Sequence, residues 1–428
     1  MRSRVLWRRS ATAAGLYASV ALGIAATIVA ANTLEVTEFG VFTIAMSAAG
    51  FFQILLDLTV EDALTKVGFR YIAADEWGKL RRLFAVALKL KLAGGALATL
   101  CLLAAAPIAE QVYGGGDAAR AFLAVAALPL VQAPENVSST ALLLHGRYDL
   151  RGGYLTFAQG LRFLGIVVGV QLGVIEAILG IVAAQVVATA VVAWAGRRAL
   201  GRFPVGAQQS IATDRAEIVD FVVRSSIATG VVSGRTALVP LMLGGVAGKT
   251  QVALLRAALA PQNGLSAASS PARLILLTEQ TRDWEHGRRR SVFTGLRRYM
   301  TITTAISLVT VPVFLLAMRP LVEFFFRKPE YADAVTPARI VLFAAAIQLV
   351  FGWTKSFPTT IGKPGLRILA HGIETAVLIP LVLVLGDRHG VTGAAIAILV
   401  STIVFALVWV VLLLRTRQET LAIEAQPA

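Results

Sequence analysis

The sequence predicts an all-α membrane protein: about twelve transmembrane helices in two six-helix bundles with a central cleft. Three observations carry that expectation. Hydrophobic residues make up 57% of the 428-residue chain and charged residues 15%, against about 25% charged in ordinary soluble proteins. Mean hydropathy is +0.73, and many apolar runs exceed the roughly 18 residues needed to span a bilayer core about 30 Å thick as a helix. The Lys and Arg residues alternate between rich and poor joints along the chain. A soluble globular enzyme is excluded.

Hydrophobic runs place the spans at about 12–32, 41–60, 84–107, 121–143, 153–173, 175–196, 218–243, 251–276, 299–318, 337–356, 366–386 and 391–414. The fifth and sixth meet in a very tight turn over Gly173–Glu176. The first follows Arg2, Arg4, Arg8 and Arg9. Its apolar stretch exceeds a signal-peptide core, so it reads as an uncleaved anchor.

The basic residues test this map. With the N-terminus inside, 25 of the 40 Lys and Arg fall in inner segments and 7 in outer ones. That asymmetry predicts N-in, C-in topology and accounts for the +15 net charge without any nucleic-acid partner. The joint from Arg197 to Glu217 separates two halves, an N-terminal bundle over 1–205 and a C-terminal bundle over 206–428. Six spans in each half give both the same orientation, and such transporters place their substrate sites near the bilayer midplane between repeats.

The remaining eight basic residues lie inside spans: Lys89, Lys91, Arg162, Arg224, Arg235, Arg256, Arg273 and Lys355. Each Arg or Lys at the bilayer centre costs about 2.5–3.5 kcal/mol on insertion scales. Lys89, Lys91, Arg273 and Lys355 are within two turns of cytoplasmic ends and are expected to snorkel to headgroups. Arg162, Arg224, Arg235 and Arg256 are expected to line a wet, electropositive cleft and bind substrate; a buried partner such as Glu135, Asp57 or Glu374 is the alternative for Arg162 and Arg235, and snorkelling for Arg224. Polar residues form stripes at helical spacing: Thr43, Ser47, Gly50, Gln53, Asp57 and Glu61 in the second span, Gln132, Glu135, Asn136 and Ser139 in the fourth. His371, Glu374 and Thr375 share a face of the eleventh. Pro261, Gly264 and Pro271 are expected to bend or break the eighth.

A deep carboxylate beside arginines is poised between protonation states, because burial and positive charge push its pKa in opposite directions. Glu135, then Asp57 and Glu374, are the candidates for ion coupling. The single cysteine, Cys101, excludes an internal disulfide and a cysteine metal cluster. The chain carries no Walker A sequence, His-Glu-x-x-His or nucleophile elbow. No enzyme activity, cofactor or metal is expected.

Thr37-Glu38-Phe39-Gly40-Val41-Phe42 after the first span and Leu55-Leu56-Asp57-Leu58-Thr59-Val60-Glu61 closing the second resemble the opening of bacterial polysaccharide-repeat flippases of the O-antigen type. The joints Leu143-Leu144-His145-Gly146-Arg147-Tyr148 and Pro358-Thr359-Thr360-Ile361-Gly362-Lys363-Pro364 look like loops recurring in that family. Thr59 departs from it, standing where the family often has Gly. The family belongs to the multidrug, oligosaccharidyl-lipid and polysaccharide exporters. The resemblance implies a V-shaped pair of bundles in the bacterial inner membrane, flipping undecaprenyl-pyrophosphate-linked oligosaccharide by alternating access. It implies lipid-linked oligosaccharide, membrane lipids and polysaccharide polymerase machinery as partners. Arginine suits such cargo, since it binds phosphate in a bidentate, permanently charged manner. A cation-coupled multidrug exporter, a transporter of the peptidoglycan lipid precursor and a non-transporting scaffold for polysaccharide assembly are the alternatives.

Overall fold

The computed structural model describes residues 2–56, 58–207, 209–268, 280, 283–284, 286–363 and 365–425. Among them every regular element is helical, and seven helical stretches are long and apolar enough to cross a membrane. The chain forms two compact units, Met1–Leu241 and Met242–Ala428.

The first unit contains α1 (Arg2–Thr33), α2 (Val36–Leu56), α3 (Val60–Ala73), α4 (Trp77–Tyr113), α5 (Gly116–Val125), α6 (Leu128–Leu144), α7 (Tyr148–Gly169), α8 (Val174–Gly201) and most of α9 (Arg215–Ala247). Its helices pack as α1 on α7, α7 on α8, α8 on α6 and α6 on α4. Small residues allow this where lipid tails offer no hydrophobic drive to associate. A Cβ on Gly165 or Gly180 would collide with the other's carbonyl, and one on Gly15 would lie 2.5 Å from the Gly152 oxygen. The tight turn expected over Gly173–Glu176 falls slightly earlier, at 170–173: α7 ends at Gly169, Gly173 takes φ +142°, and Val174–Glu176 already belong to α8.

The second and fourth expected spans are each interrupted. The second stops at Leu56, and α3 starts only at Val60, after a turn in which the Val60 N–H reaches the Leu58 carbonyl at 2.7 Å. The Thr59 N–H, freed from the helix, donates to Ser226 Oγ on α9 at 2.9 Å. Glu61 therefore opens α3 and does not continue the α2 stripe. Asp57 lies outside the described residues. The fourth span divides into α5 and α6 at Ala126–Ala127. Pro129 has no N–H to continue the ladder, and Thr99 Oγ1 satisfies the Ala126 carbonyl at 2.7 Å.

The second unit holds the end of α9, then α10 (Lys249–Ala258), α11 (Ala260–Ala268), α12 (Arg289–Phe325), α13 (Val335–Val350), the short α14 (Phe357–Thr360) and α15 (Gly365–Ala425). The eighth span breaks at Leu259, just before Pro261, as expected; Ser270, Pro271 and Arg273 lie outside the described residues. α15 is two helices joined across Gly390, whose φ is +55°. Gln251 of α10 caps this corner, its Oε1 accepting the Val391 N–H at 2.8 Å. The two limbs correspond to the eleventh and twelfth expected spans. An aromatic core of Trp353, Phe357, Phe405 and Trp409 fills one end of the unit. By contrast Leu308, Val309, Val313 and Leu316 on α12 are largely exposed, as lipid-facing side chains are.

The joint between α8 and α9 is fastened to α3. Arg70 forms a two-pronged bridge to Glu217, at 2.9 and 3.0 Å, and the Tyr71 hydroxyl donates to Asp214 at 2.7 Å. The Arg70 guanidinium holds the Glu217 carboxyl below the usual carboxylate range, and the Tyr71 hydroxyl does the same for Asp214. Lowered carboxylate pKa values mean that the attachment is complete above the ordinary range and weakens as pH falls through the lowered values. A spin label at Gln209→Cys in a Cys101→Ser background should keep constant mobility from about pH 8 to 5 and loosen below about pH 4. Loosening between about pH 7 and 6 would contradict this account.

Candidate functional site

In the first unit, α6, α7 and α8 each bring polar side chains to one buried point. α6 supplies Gln132 and Glu135, three residues apart on one face. α7 supplies Arg162 and Tyr154, and α8 supplies Gln185 and Thr189 at i, i+4. Gln185 has no exposed surface and is the hub. Its Nε2 donates to Glu135 Oε2 at 2.7 Å and to Thr189 Oγ1 at 2.9 Å. Its Oε1 accepts from Arg162 Nε at 2.9 Å, from a second Arg162 nitrogen, and from Gln132 Nε2 at 3.3 Å. Arg162 fixes which way the amide points: a guanidinium only donates, so it takes the amide oxygen and leaves the amide N–H groups for Glu135 and Thr189. Arg162 and Glu135 are thus joined through Gln185 and not by the direct pair considered from sequence.

The next residue on α6 extends the network. Asn136 Nδ2 donates to Glu61 Oε1 at 3.3 Å, and the other Glu61 oxygen lies 2.8 Å from Lys91 Nζ. The Lys91 side chain is only 1% exposed. The expectation that Lys91 snorkels to headgroups is therefore corrected. It is sealed among helices, where an unpaired charge is strongly unfavourable, and Glu61 neutralises it.

The other sequence candidates sit elsewhere. Arg224 is well exposed on α9 and bonds Asp220 one turn earlier at 2.8 Å. Arg235, further along α9, is half-buried. Arg256, in the second unit, presents an exposed side chain on α10. Glu374 is fully buried in α15, its Oε2 2.8 Å from His371 Nδ1, and that ring stacks on Phe405 at 4.8 Å between centroids.

By sequence the chain matches no described family and no curated protein. Solved structures do match it. The lipid II flippase MurJ, in an inward closed conformation, superposes with a TM-score of 0.74 at 13% identity, covering 93% of this chain and 86% of that one. An inward-facing multidrug resistance MATE family transporter of the MOP superfamily gives 0.69 at 15%, with 96% of each chain covered. A MOP superfamily transporter from Pyrococcus furiosus, described as having a binding pocket of reversed polarity, gives 0.64 at 16%, covering 97% and 95%.

The chain has the fold of the MOP-superfamily transporters. Within this MOP fold the Gln185 hub is what the sequence reading overlooked. The available signal was a Gln and a Thr one turn apart on a helix that is otherwise almost wholly apolar; an intramembrane amide at that spacing requires a polar partner. Gln185→Leu should leave Arg162 and Glu135 unsatisfied and cost about 1–3 kcal/mol of stability. In detergent, its thermal midpoint should fall well below those of wild type and of Thr189→Val. A midpoint equal to wild type would show that the amide does not hold the two charges.

Proposed function

We propose that the protein flips a lipid-linked oligosaccharide, the undecaprenyl-pyrophosphate-linked repeat unit of a surface polysaccharide, across the bacterial inner membrane by alternating access. The observation that carries this reading is the held arginine. Gln185 uses two of the five guanidinium donors of Arg162 and aims the group from a half-buried position. The donors left over suit a diphosphate or an acidic sugar. Arg224, Arg235 and Arg256 are assigned the same cargo-binding role. Glu135, bonded to the same amide, is assigned ion coupling ahead of Asp57 and Glu374: a proton or cation at Glu135 changes what Gln185 must donate to, and so how firmly Arg162 is held. The reading is of a transporter and not an enzyme.

The MOP fold alone supports two kinds of cargo. It is shared by a lipid II flippase and by multidrug exporters, and the Pyrococcus furiosus transporter, whose pocket polarity is reversed, is described as suggesting a different function. Pocket charge is therefore the natural discriminator, and a deep arginine favours anionic cargo over the cationic or apolar drugs of the alternative. Deletion of the gene should cause unpolymerised lipid-linked repeats to accumulate on the inner leaflet, measured by lipid extraction. Wild type should clear them, and the Arg162→Ala, Arg235→Ala double variant should not, at equal membrane abundance. Full clearance by that double variant would overturn the assignment.

A further inference from the structure

A cavity of about 590 Å³ opens in the first unit where the start of α4 meets the joint leading from α8 to α9. Gly78, Arg81 and Arg82 line it from the helix, and Gly206, Gln209 and Ser210 from the joint. The two glycines make it possible. A Cβ on Gly78 would run into the Ala207 carbonyl, and one on Gly206 would lie 2.8 Å from the Gly78 nitrogen. Backbone thus rests on backbone, and the joint is held close over the first turn of α4. At that turn the Trp77 and Leu80 N–H groups already bond the Asp75 and Glu76 carbonyls, so only Gly78 and Lys79 could offer theirs, and the helix dipole is positive.

The two arginines differ in their commitments. Arg81 donates one bond to the Phe203 carbonyl at 3.2 Å, which sets its direction and leaves most of its donors unused. Arg82 is exposed and has no ion-pair partner among the described residues. None of the described lining residues is acidic. Of the carboxylates near this end of α4, Glu76 pairs with Lys79 at 2.8 Å and Asp214 with Tyr71 at 2.7 Å, while Asp75 is exposed and is not among the described lining residues. Aromatic residues lie nearby: Trp77 stacks on Phe203 at 5.8 Å, and further into α8 Arg198 lies over the exposed Trp194 ring at 4.6 Å. Trp belts of this kind sit at the membrane–water interface. The excess of basic residues assigns this end of the bundle to the cytoplasm.

We propose that this cavity is a phosphate-group site on the cytoplasmic membrane surface, in which Arg81 and Arg82 clamp the oxygens and Gln209, Ser210 and the first turn of α4 add neutral donors. An anionic phospholipid headgroup of the inner leaflet and free phosphate present the same chemistry. Occupancy would tie the α8–α9 joint to α4, adding to the Arg70–Glu217 and Tyr71–Asp214 bonds that fasten it to α3.

The test is a binding measurement on the full-length, delipidated protein in neutral detergent, and so stands apart from transport. Bound phosphatidylglycerol is counted by native mass spectrometry, with phosphatidylcholine as reference, and inorganic phosphate is titrated by calorimetry. Arg82→Gln, which removes no hydrogen bond or ion pair among the described residues, and the Arg81→Gln, Arg82→Gln double variant are compared with Arg297→Gln, Arg298→Gln, an exposed basic pair in the second unit. We expect phosphatidylglycerol to bind about tenfold or more weakly in both cavity variants and as wild type in the control. Selective binding of the lipid identifies a headgroup as the source, and binding of inorganic phosphate with the same variant dependence identifies a free anion. Equal loss in the control pair, or unchanged binding of both ligands in the double variant, overturns the proposal.

Discussion

A guanidinium and a carboxylate inside a bundle of apolar helices each carry a solvation debt of several kcal/mol, and the placement of α6, α7 and α8 answers to it. Gln185 settles the matter with one amide, donating to Glu135 and accepting from Arg162. A direct ion pair would also satisfy both groups, but it would turn their charges on each other and leave little for a ligand. With a neutral amide between them, both charges are satisfied on one side and keep hydrogen-bonding capacity on the other. The geometry depends on close helix packing. α8 reaches α7 through Gly165 and Gly180, and α6 through Gly196, where a Cβ would lie 2.8 Å from Ser138.

The same rule governs the other buried charges. Lys91 meets Glu61, Glu61 meets Asn136, and Asn136 neighbours Glu135 on α6. Two charged clusters thus share one helix, so a shift of α6 disturbs both. In the second unit His371 and Glu374 form a compact pair against Phe405. Where a charge is exposed, as with Arg224 and Asp220, the structure makes only an ordinary one-turn contact of the kind worth a few tenths of a kcal/mol.

The helices were legible because an apolar run of bilayer length has few other uses, and the turn at Gly173 and the break before Pro261 were readable from residue type. The interruptions at Thr59 and Ala126 were not. They are stabilised by Ser226 and Thr99, partners distant in sequence that supply the bonds the broken helices lack. The candidate site was half legible. Arg162 and Glu135 stood out as expensive charges, while a single Gln in an apolar helix costs little enough to pass unnoticed. Lys91 was misread because depth along a helix says nothing about which face turns toward lipid; the structure turns it inward to Glu61.

The central claim is that Glu135, Gln185 and Arg162 work as one unit that binds cargo and senses the coupling ion. It is tested most directly by initial flipping rates of a short-chain lipid-linked oligosaccharide in proteoliposomes, with and without imposed proton and sodium gradients. Wild type, Glu135→Gln, Arg162→Gln and the double variant are compared. Residues in one hydrogen-bond network are not additive. The account predicts that Glu135→Gln loses its response to the gradient and that the double variant is no slower than the worse single one. Single losses that multiply in the double variant, together with an undiminished gradient response in Glu135→Gln, would contradict it.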